Sequence, residues 1–323
     1  MKASVVIPAY NAQRTIERCL KSLAVQTFKE KFEVIVVDDG SKDNTVEIVK
    51  KFKSVKLIQQ QNAGPADARN NGAKLAKGDY LVFLDSDCLV KENWLNEMIT
   101  PFKGEEIVGV LGKYENRQKE LVARFTHLEI ESRYEKMAKQ KYIDFMGSYS
   151  AAYKRQVFEE MKGFDTSFPM ASGEDTDLSF RISSKGYKMK FNPKAIVYHF
   201  HPISFTKYLK VKFFRALWRT KIYKKHKGKM IKDSYTSQMI KFQTGLFYLI
   251  LASLSSVVFG FDGILYAGML FGLLVLSTIP FAVWAFGKDV TVGIVAPFFI
   301  ILRTVMFGCG LVLGILNETR RSI

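Results

Sequence analysis

The chain has 323 residues, of which 48% are apolar, and 48 Lys or Arg stand against 31 Asp or Glu for a formal net charge of +17. Such a composition excludes a disordered chain, and three well-separated cysteines (Cys19, Cys88 and Cys309) provide neither a disulfide framework nor a metal-ligand spacing. The basic excess is local: residues 207–241 hold 12 Lys or Arg and one Asp, so the charge marks one segment and not the whole chain.

The N-terminal run up to Pro8 is too short to be expected as a secretory signal. Residues 4–7 and 33–38 are short β-branched runs that end in turn residues, as buried parallel strands do. Between them, residues 12–27 place Ile16, Leu20 and Leu23 at helical spacing. A helix over 45–52, a strand over 55–58, a Gly/Pro/Asn loop, a helix near 65–76 and a strand over 80–84 follow. This alternation predicts an α/β domain with a mostly parallel sheet, whose ligands gather at the carboxyl ends of the strands. Residues 119–140 predict a charged helix, 147–162 a small-residue loop and a helix, and 174–185 a helix closed by Gly186.

Residues 207–232 predict a basic amphipathic helix, rich in Phe, Trp and Tyr, suited to an anionic cytoplasmic leaflet. The segments 243–260, 263–286 and 290–316 are apolar enough for a membrane, the first near the lower limit of length. Arg303 lies near the middle of the third segment, where a charge costs about 3 kcal/mol on insertion scales. Either it meets a polar partner such as a lipid phosphate, or that segment does not cross fully. Three crossings would put Arg320 and Arg321 outside, against the positive-inside tendency, so two and three crossings both stay open. The expected organisation is a domain over 1–206, an interfacial region over 207–241 and a membrane region over 242–323.

Three constellations carry chemistry. Pro8, Tyr10 and Asn11 follow the first strand, and Asp38, Asp39, Gly40 and Ser41 follow the second. An aromatic ring and a carboxylate on one sheet edge can stack on a base and accept its N–H, although the same residue types also suit ordinary turns. Asp85-Ser86-Asp87 ends a buried strand, where two carboxylates call for a divalent cation held jointly with substrate phosphates. Glu174, Asp175 and Asp177 crowd a helix start; capping would account for one of them, Asp177 being the candidate.

The stretches 4–11, 34–45, 64–87 and 173–188, read together, resemble the family 2 glycosyltransferases of GT-A fold, and the resemblance covers roughly residues 1–201. It implies that Pro8, Tyr10 and Asp39 hold the nucleoside, and that Arg69 lines the donor pocket. It further implies that Asp85, Ser86 and Asp87 meet ribose, diphosphate and a divalent metal (Mn²⁺ or Mg²⁺), with Asp87 the surer ligand. Asp175, beside Glu174, would be the catalytic base, and His199, with His201 as competitor, would approach the metal.

The expected reaction is inverting transfer from a nucleotide-diphosphate sugar, UDP being the favoured nucleotide, to a hydroxyl of a membrane lipid or lipid-linked saccharide. A phosphate acceptor needs no base, which weighs against a polyprenyl-phosphate sugar synthase. The Gln-x-x-Arg-Trp pattern of processive synthases is missing from 213–218. A catalytically silent scaffold would not need these carboxylates. Because apolar segments follow the basic stretch, lipid head groups are expected there and nucleic acid is not. Arg215, Trp218 and Arg303 are the acceptor-side candidates. The expected location is a prokaryotic plasma membrane, with the catalytic domain cytoplasmic.

Overall fold

The computed structural model describes residues 2–103, 106–168, 172–230 and 233–320, with the backbone alone at Met230 and 318–320. Chain contacts divide it into two compact units. The first comprises Met1–Arg117, Tyr134–Phe200 and Asp233–Tyr235; the second comprises Gln118–Arg133, His201–Lys232 and Thr236–Ile323.

In chain order the first unit begins with β1 (Ala3–Ala9), α1 (Ile16–Ala24), β2 (Phe32–Asp38), α2 (Thr45–Lys50), β3 (Val55–Gln59), α3 (Pro65–Leu75) and β4 (Tyr80–Leu84). It continues with β5 (Leu89–Val90), α4 (Trp94–Ile99) and β6 (Ile107–Glu115). Helix α5 (Leu121–Ala138) gives its first part to the second unit. Then come β7 (Ser150–Lys154), α6 (Arg155–Glu160), α7 (Glu174–Ser184) and β8 (Lys188–Tyr198). The strands form one sheet in the order β3-β2-β1-β4-β7-β6-β8-β5. β3, β2, β1 and β4 are parallel, whereas β7 runs antiparallel to both β4 and β6.

Val5, Val6 and Ile7 of β1 are completely buried, which explains a run with no polar alternation. α1 turns Ile16, Cys19, Leu20 and Leu23 onto the sheet. α3 lies so close to it that a Cβ on Gly72 would collide with the Val6 side chain. Strands β1, β2 and β4 all end at one edge, which sets the motifs at 8–11, 38–41 and 85–87 side by side.

The small-residue segment expected as a loop before residue 155 is instead the buried strand β7. Its Ser and Ala content disguises it, because β-propensity favours branched and aromatic residues. The small side chains answer to packing: Ser150 Oγ accepts from Trp94 Nε1 at 2.9 Å, and a Cβ on the facing Gly112 would overlap that serine.

In the second unit, the helix expected over 207–232 is α8 (Phe205–Lys225), while residues 231 and 232 lie outside those described. α9 (Gln238–Ser256), α10 (Gly263–Leu276), α11 (Ile279–Phe286) and α12 (Val290–Arg320) follow. Three stretches, Gln238–Phe259, Gly263–Phe286 and Val290–Asn317, are long and apolar enough to cross a membrane. Arg321, expected with Arg320 to bear on sidedness, lies outside the described residues. Phe125 and Leu128 of α5 share a buried cluster with Tyr208, Val292, Phe299 and Ile300.

Candidate active site

The site grows from the ends of β1, β2 and β4. After β1 the chain turns through Asn11, whose φ of 49° is left-handed, a conformation Asn tolerates. The Asn11 backbone N–H donates to Ser41 Oγ at 2.9 Å, and Asn11 Oδ1 accepts from Lys42 N at 2.8 Å. Ala12 N donates to Thr45 Oγ1 at 2.7 Å. These bonds join the loops after β1 and β2 into one shelf, from which Tyr10 projects half exposed.

Asp39 is 4% exposed, and both its oxygens are engaged. Oδ1 accepts from Gln60 Nε2 and Ala63 N at 2.8 and 2.9 Å, and Oδ2 accepts from Gly64 N at 2.9 Å. Asp39 therefore shapes the loop that starts α3. Its neighbour Asp38 differs: Oδ2 accepts from Ser41 N at 3.3 Å, while the buried Oδ1 has no partner among the described residues. The sequence did not single out Asp38, because the Asp-Asp pair looks alike from residue types, and only its position as the last residue of β2 distinguishes it.

Arg69 on α3 is 2% exposed and joins two distant motifs. Nη2 donates to Asp85 Oδ1 at 2.8 Å, and Nη1 donates to Glu174 Oε1 at 2.9 Å. Burial opposes its charge, but Asp85 and Glu174 outweigh it and hold the guanidinium more firmly protonated than a free arginine. Glu174, 1% exposed, also accepts from Ser172 N and Gly173 N at 3.0 and 3.1 Å. Burial and then the adjacent Asp175 push its carboxyl up to about 7, against the pull of Arg69.

Gly173 precedes helix α7, and its φ of 142° excludes most side chains; it offers no side-chain cap. Asp177, expected as that cap, instead pairs with Arg181 Nε at 2.9 Å, and Arg181 also donates to the carbonyls of Met161 and Gly163. Asp175 Oδ1 accepts from Thr176 N at 2.6 Å. Its side chain is only partly covered, unlike those of its two acidic neighbours.

Asp87, two residues past Asp85, lies 3.4 Å from His199 Nε2, with 40% of its side chain exposed. His199 packs against Tyr114, which stacks on Tyr149. That aromatic backing went unnoticed in the sequence because its members are far apart along the chain. His201 belongs to the second unit, where its ring nitrogen lies 3.4 Å from His127 Nδ1.

No three His, Cys, Asp or Glu side chains converge into an all-protein metal cage among the described residues. The Asp87–His199 pair nonetheless fits a divalent cation on other terms. Magnesium-type ions are commonly held by one or two carboxylates and completed by substrate phosphates and water, a part Asp87 can fill with His199 as a nitrogen donor beside it. Asp85 is less available, since Arg69 already occupies its Oδ1. Of the acceptor-side candidates, all in the second unit, Arg215 is exposed and Trp218 half-buried. Arg303 is buried, donating to Glu129 Oε1 at 2.7 Å and Gln243 Oε1 at 2.6 Å.

Residues 4–162 match the family described as Glycosyl transferase family 2. Glycosyltransferase AglE of Haloferax volcanii is 30% identical over 208 residues, covering 61% of this chain and 66% of that protein. The chain spans less than two thirds of the length of the curated relatives it matches first. Among solved structures, S. aureus TarS 1–349 superposes with a TM-score of 0.50 at 26% identity, over 67% of this chain and 65% of that one. The mannosyltransferase PcManGT from Pyrobaculum calidifontis, solved with GDP-Man and Mn²⁺, superposes with a TM-score of 0.64 over 98% of this chain and 88% of that one. At 18% identity that likeness is one of fold. The fold is GT-A-like, a mostly parallel sheet with flanking helices, followed by apolar C-terminal helices.

Proposed function

The chain belongs to glycosyl transferase family 2 through residues 4–162, and we propose that it transfers a sugar from a nucleotide-diphosphate donor to a hydroxyl of a membrane-embedded acceptor. The observation that carries this reading is the Arg69 bridge, which ties the strand-end Asp85 to Glu174 at the start of α7. Arg69 thus bonds Asp85 and the residue next to Asp175, which supports reading the two motifs as parts of one site.

In this reading Tyr10 and the shelf at 38–41 take the nucleoside, with Asp38 Oδ1 the carboxylate oxygen left for it and Asp39 holding the loop. Pro8 sets the exit of β1, and Ser86 with Asp85 faces the ribose and diphosphate. Asp87 and His199 would hold a divalent cation, which neutralises charge on the departing diphosphate when bound. Asp175 accepts the proton of the acceptor hydroxyl. The hydroxyl oxygen attacks the anomeric carbon as the bond to the diphosphate oxygen breaks, so the configuration inverts. Glu174 is spent on Arg69 and two backbone N–H groups, so it positions Arg69 and takes no proton from substrate.

The membrane setting rests on the three apolar helices, which would keep a lipid-tailed acceptor beside the protein, and the basic segment suits a cytoplasmic leaflet. The test is a screen of UDP- and GDP-sugars for Mn²⁺- or Mg²⁺-dependent hydrolysis and transfer by the full chain in detergent. Asp175→Asn is expected to lower transfer to hydroxyl acceptors by about 10²–10⁴-fold while donor binding persists. Near-full transfer by that variant overturns the assignment, and transfer to a lipid phosphate that survives it names a phosphate acceptor instead.

A further inference from the structure

The three apolar stretches are alike in length and composition, but α12 is set differently from α9 and α10. Helix α8 runs beside α12 in the same direction. Phe205 meets Phe298 and Phe299 at one end. Gly310 is pressed against the Phe213 carbonyl and Ala216 further along, and a Cβ on Gly314 would lie 2.6 Å from both the Leu217 carbonyl and Thr220 Oγ1. The contact therefore follows α12 from residue 298 to 314, about 25 Å at a rise of ~1.5 Å per residue.

Along this length α8 exposes Lys207, Lys210 and Arg215. Were α12 upright in a bilayer, it would carry these charges into hydrocarbon at about 3 kcal/mol each on insertion scales. The parts of α12 beyond this stretch, 290–297 and 315–320, are each far shorter than the ~30 Å core. The outer face of α12 is apolar: Ile294, Phe298, Leu302, Val305, Val312 and Leu316 recur at intervals of three, four and seven residues. Ile294, Phe298 and Leu316 are more than half exposed. The pair thus presents an apolar sole with a basic rim.

We infer that α8 and α12 lie together in the plane of the membrane surface. The apolar stripe of α12 sits in the acyl boundary of an anionic leaflet, with the α8 lysines and arginines at its phosphates. Only the α9–α10 hairpin enters the bilayer core. α9 stays beside α12 as far as Tyr248, whose hydroxyl donates to the Gly308 carbonyl at 2.9 Å. Beyond it Leu249, Leu251 and Leu254 are exposed. The base of the hairpin is tied to α12 through Gln243, which accepts from Arg303 and donates to Ser277 at the end of α10. Arg303 is thereby a buried joint near the surface and not a charge at mid-bilayer. It follows that Lys225 and Asn317 lie on the same side of the membrane.

The test uses the full chain in sealed, uniformly oriented vesicles containing phosphatidylglycerol. Cys309 is exposed and Cys19 and Cys88 are buried, so a fluorophore can be placed at 309 directly, and at 294, 298, 305, 312 and 316 by variants that add one cysteine each to a Cys309→Ser background. Quenching by nitroxides at the head group and along the acyl chain is expected to report one shallow depth at all six positions. Lys225→Cys and Asn317→Cys are expected to react with a membrane-impermeant maleimide from the same side. A depth profile that reaches the bilayer centre near 305, no quenching by any lipid nitroxide, or labelling of 225 and 317 from opposite sides overturns the inference.

Discussion

Arg69 is the residue on which most of the first unit's site depends. A planar guanidinium can hold two carboxylates at fixed angles, whereas a lysine offers one point charge, so Arg69→Lys is not a conservative change here. Arg69→Leu leaves Glu174 buried without its guanidinium partner, and Arg69→Lys can answer only one of the two carboxylates. The expected destabilisation is roughly 3–5 kcal/mol, read from denaturant unfolding. Glu174 also makes stability depend on pH. Its carboxyl keeps its proton up to about 7 when folded, against an ordinary 4.5, so the folded protein binds more protons across that window. Stability therefore falls as pH rises from about 4.5 to about 7. Glu174→Gln is expected to flatten that slope. Asp175→Asn, by removing the neighbouring like charge, is expected to move the window toward acid; unfolding midpoints measured from pH 4 to 8 check both. In the second unit, burial opposes the charge of Glu129, but Lys212, Arg303 and Arg133 outweigh it and hold its carboxyl well below the usual carboxylate range.

Among the elements, those with strong periodicity were legible and the packing-determined ones were not. β1, β2 and β4 are apolar runs buried on both faces, α1 carries a clear helical face, and Gly186 marks the end of α7. β7 escaped because its alanines and serine are chosen by the space left between β4 and β6. The same kind of constraint operates where two elements touch through a glycine. Gly72→Ala is expected to lift α3 from β1, and Gly310→Val to separate α12 from α8, each at about 1–3 kcal/mol. Thermal unfolding checks both variants, with detergent present for the second.

At the scale of the whole molecule, the compact units interleave along the chain, because Gln118–Arg133 folds with the C-terminal helices. A fragment cut at residue 206 would lose the partners of Phe125 and Leu128 and leave Glu129 without Lys212 and Arg303. It is expected to aggregate without detergent, as gel filtration would show. The four motifs were readable in the sequence because each is short and local: strand ends, turn residues and a helix start identify themselves through their nearest neighbours. So was the long, apolar character of the C-terminal helices, since hydropathy is a sum over adjacent residues. Which carboxylate keeps a free oxygen, that Arg69 joins Asp85 to Glu174, and that Arg303 is answered by Glu129 were decided only by the tertiary structure. Pairing across 105 and 174 positions depends on which elements pack together, and residue order alone does not encode that distance.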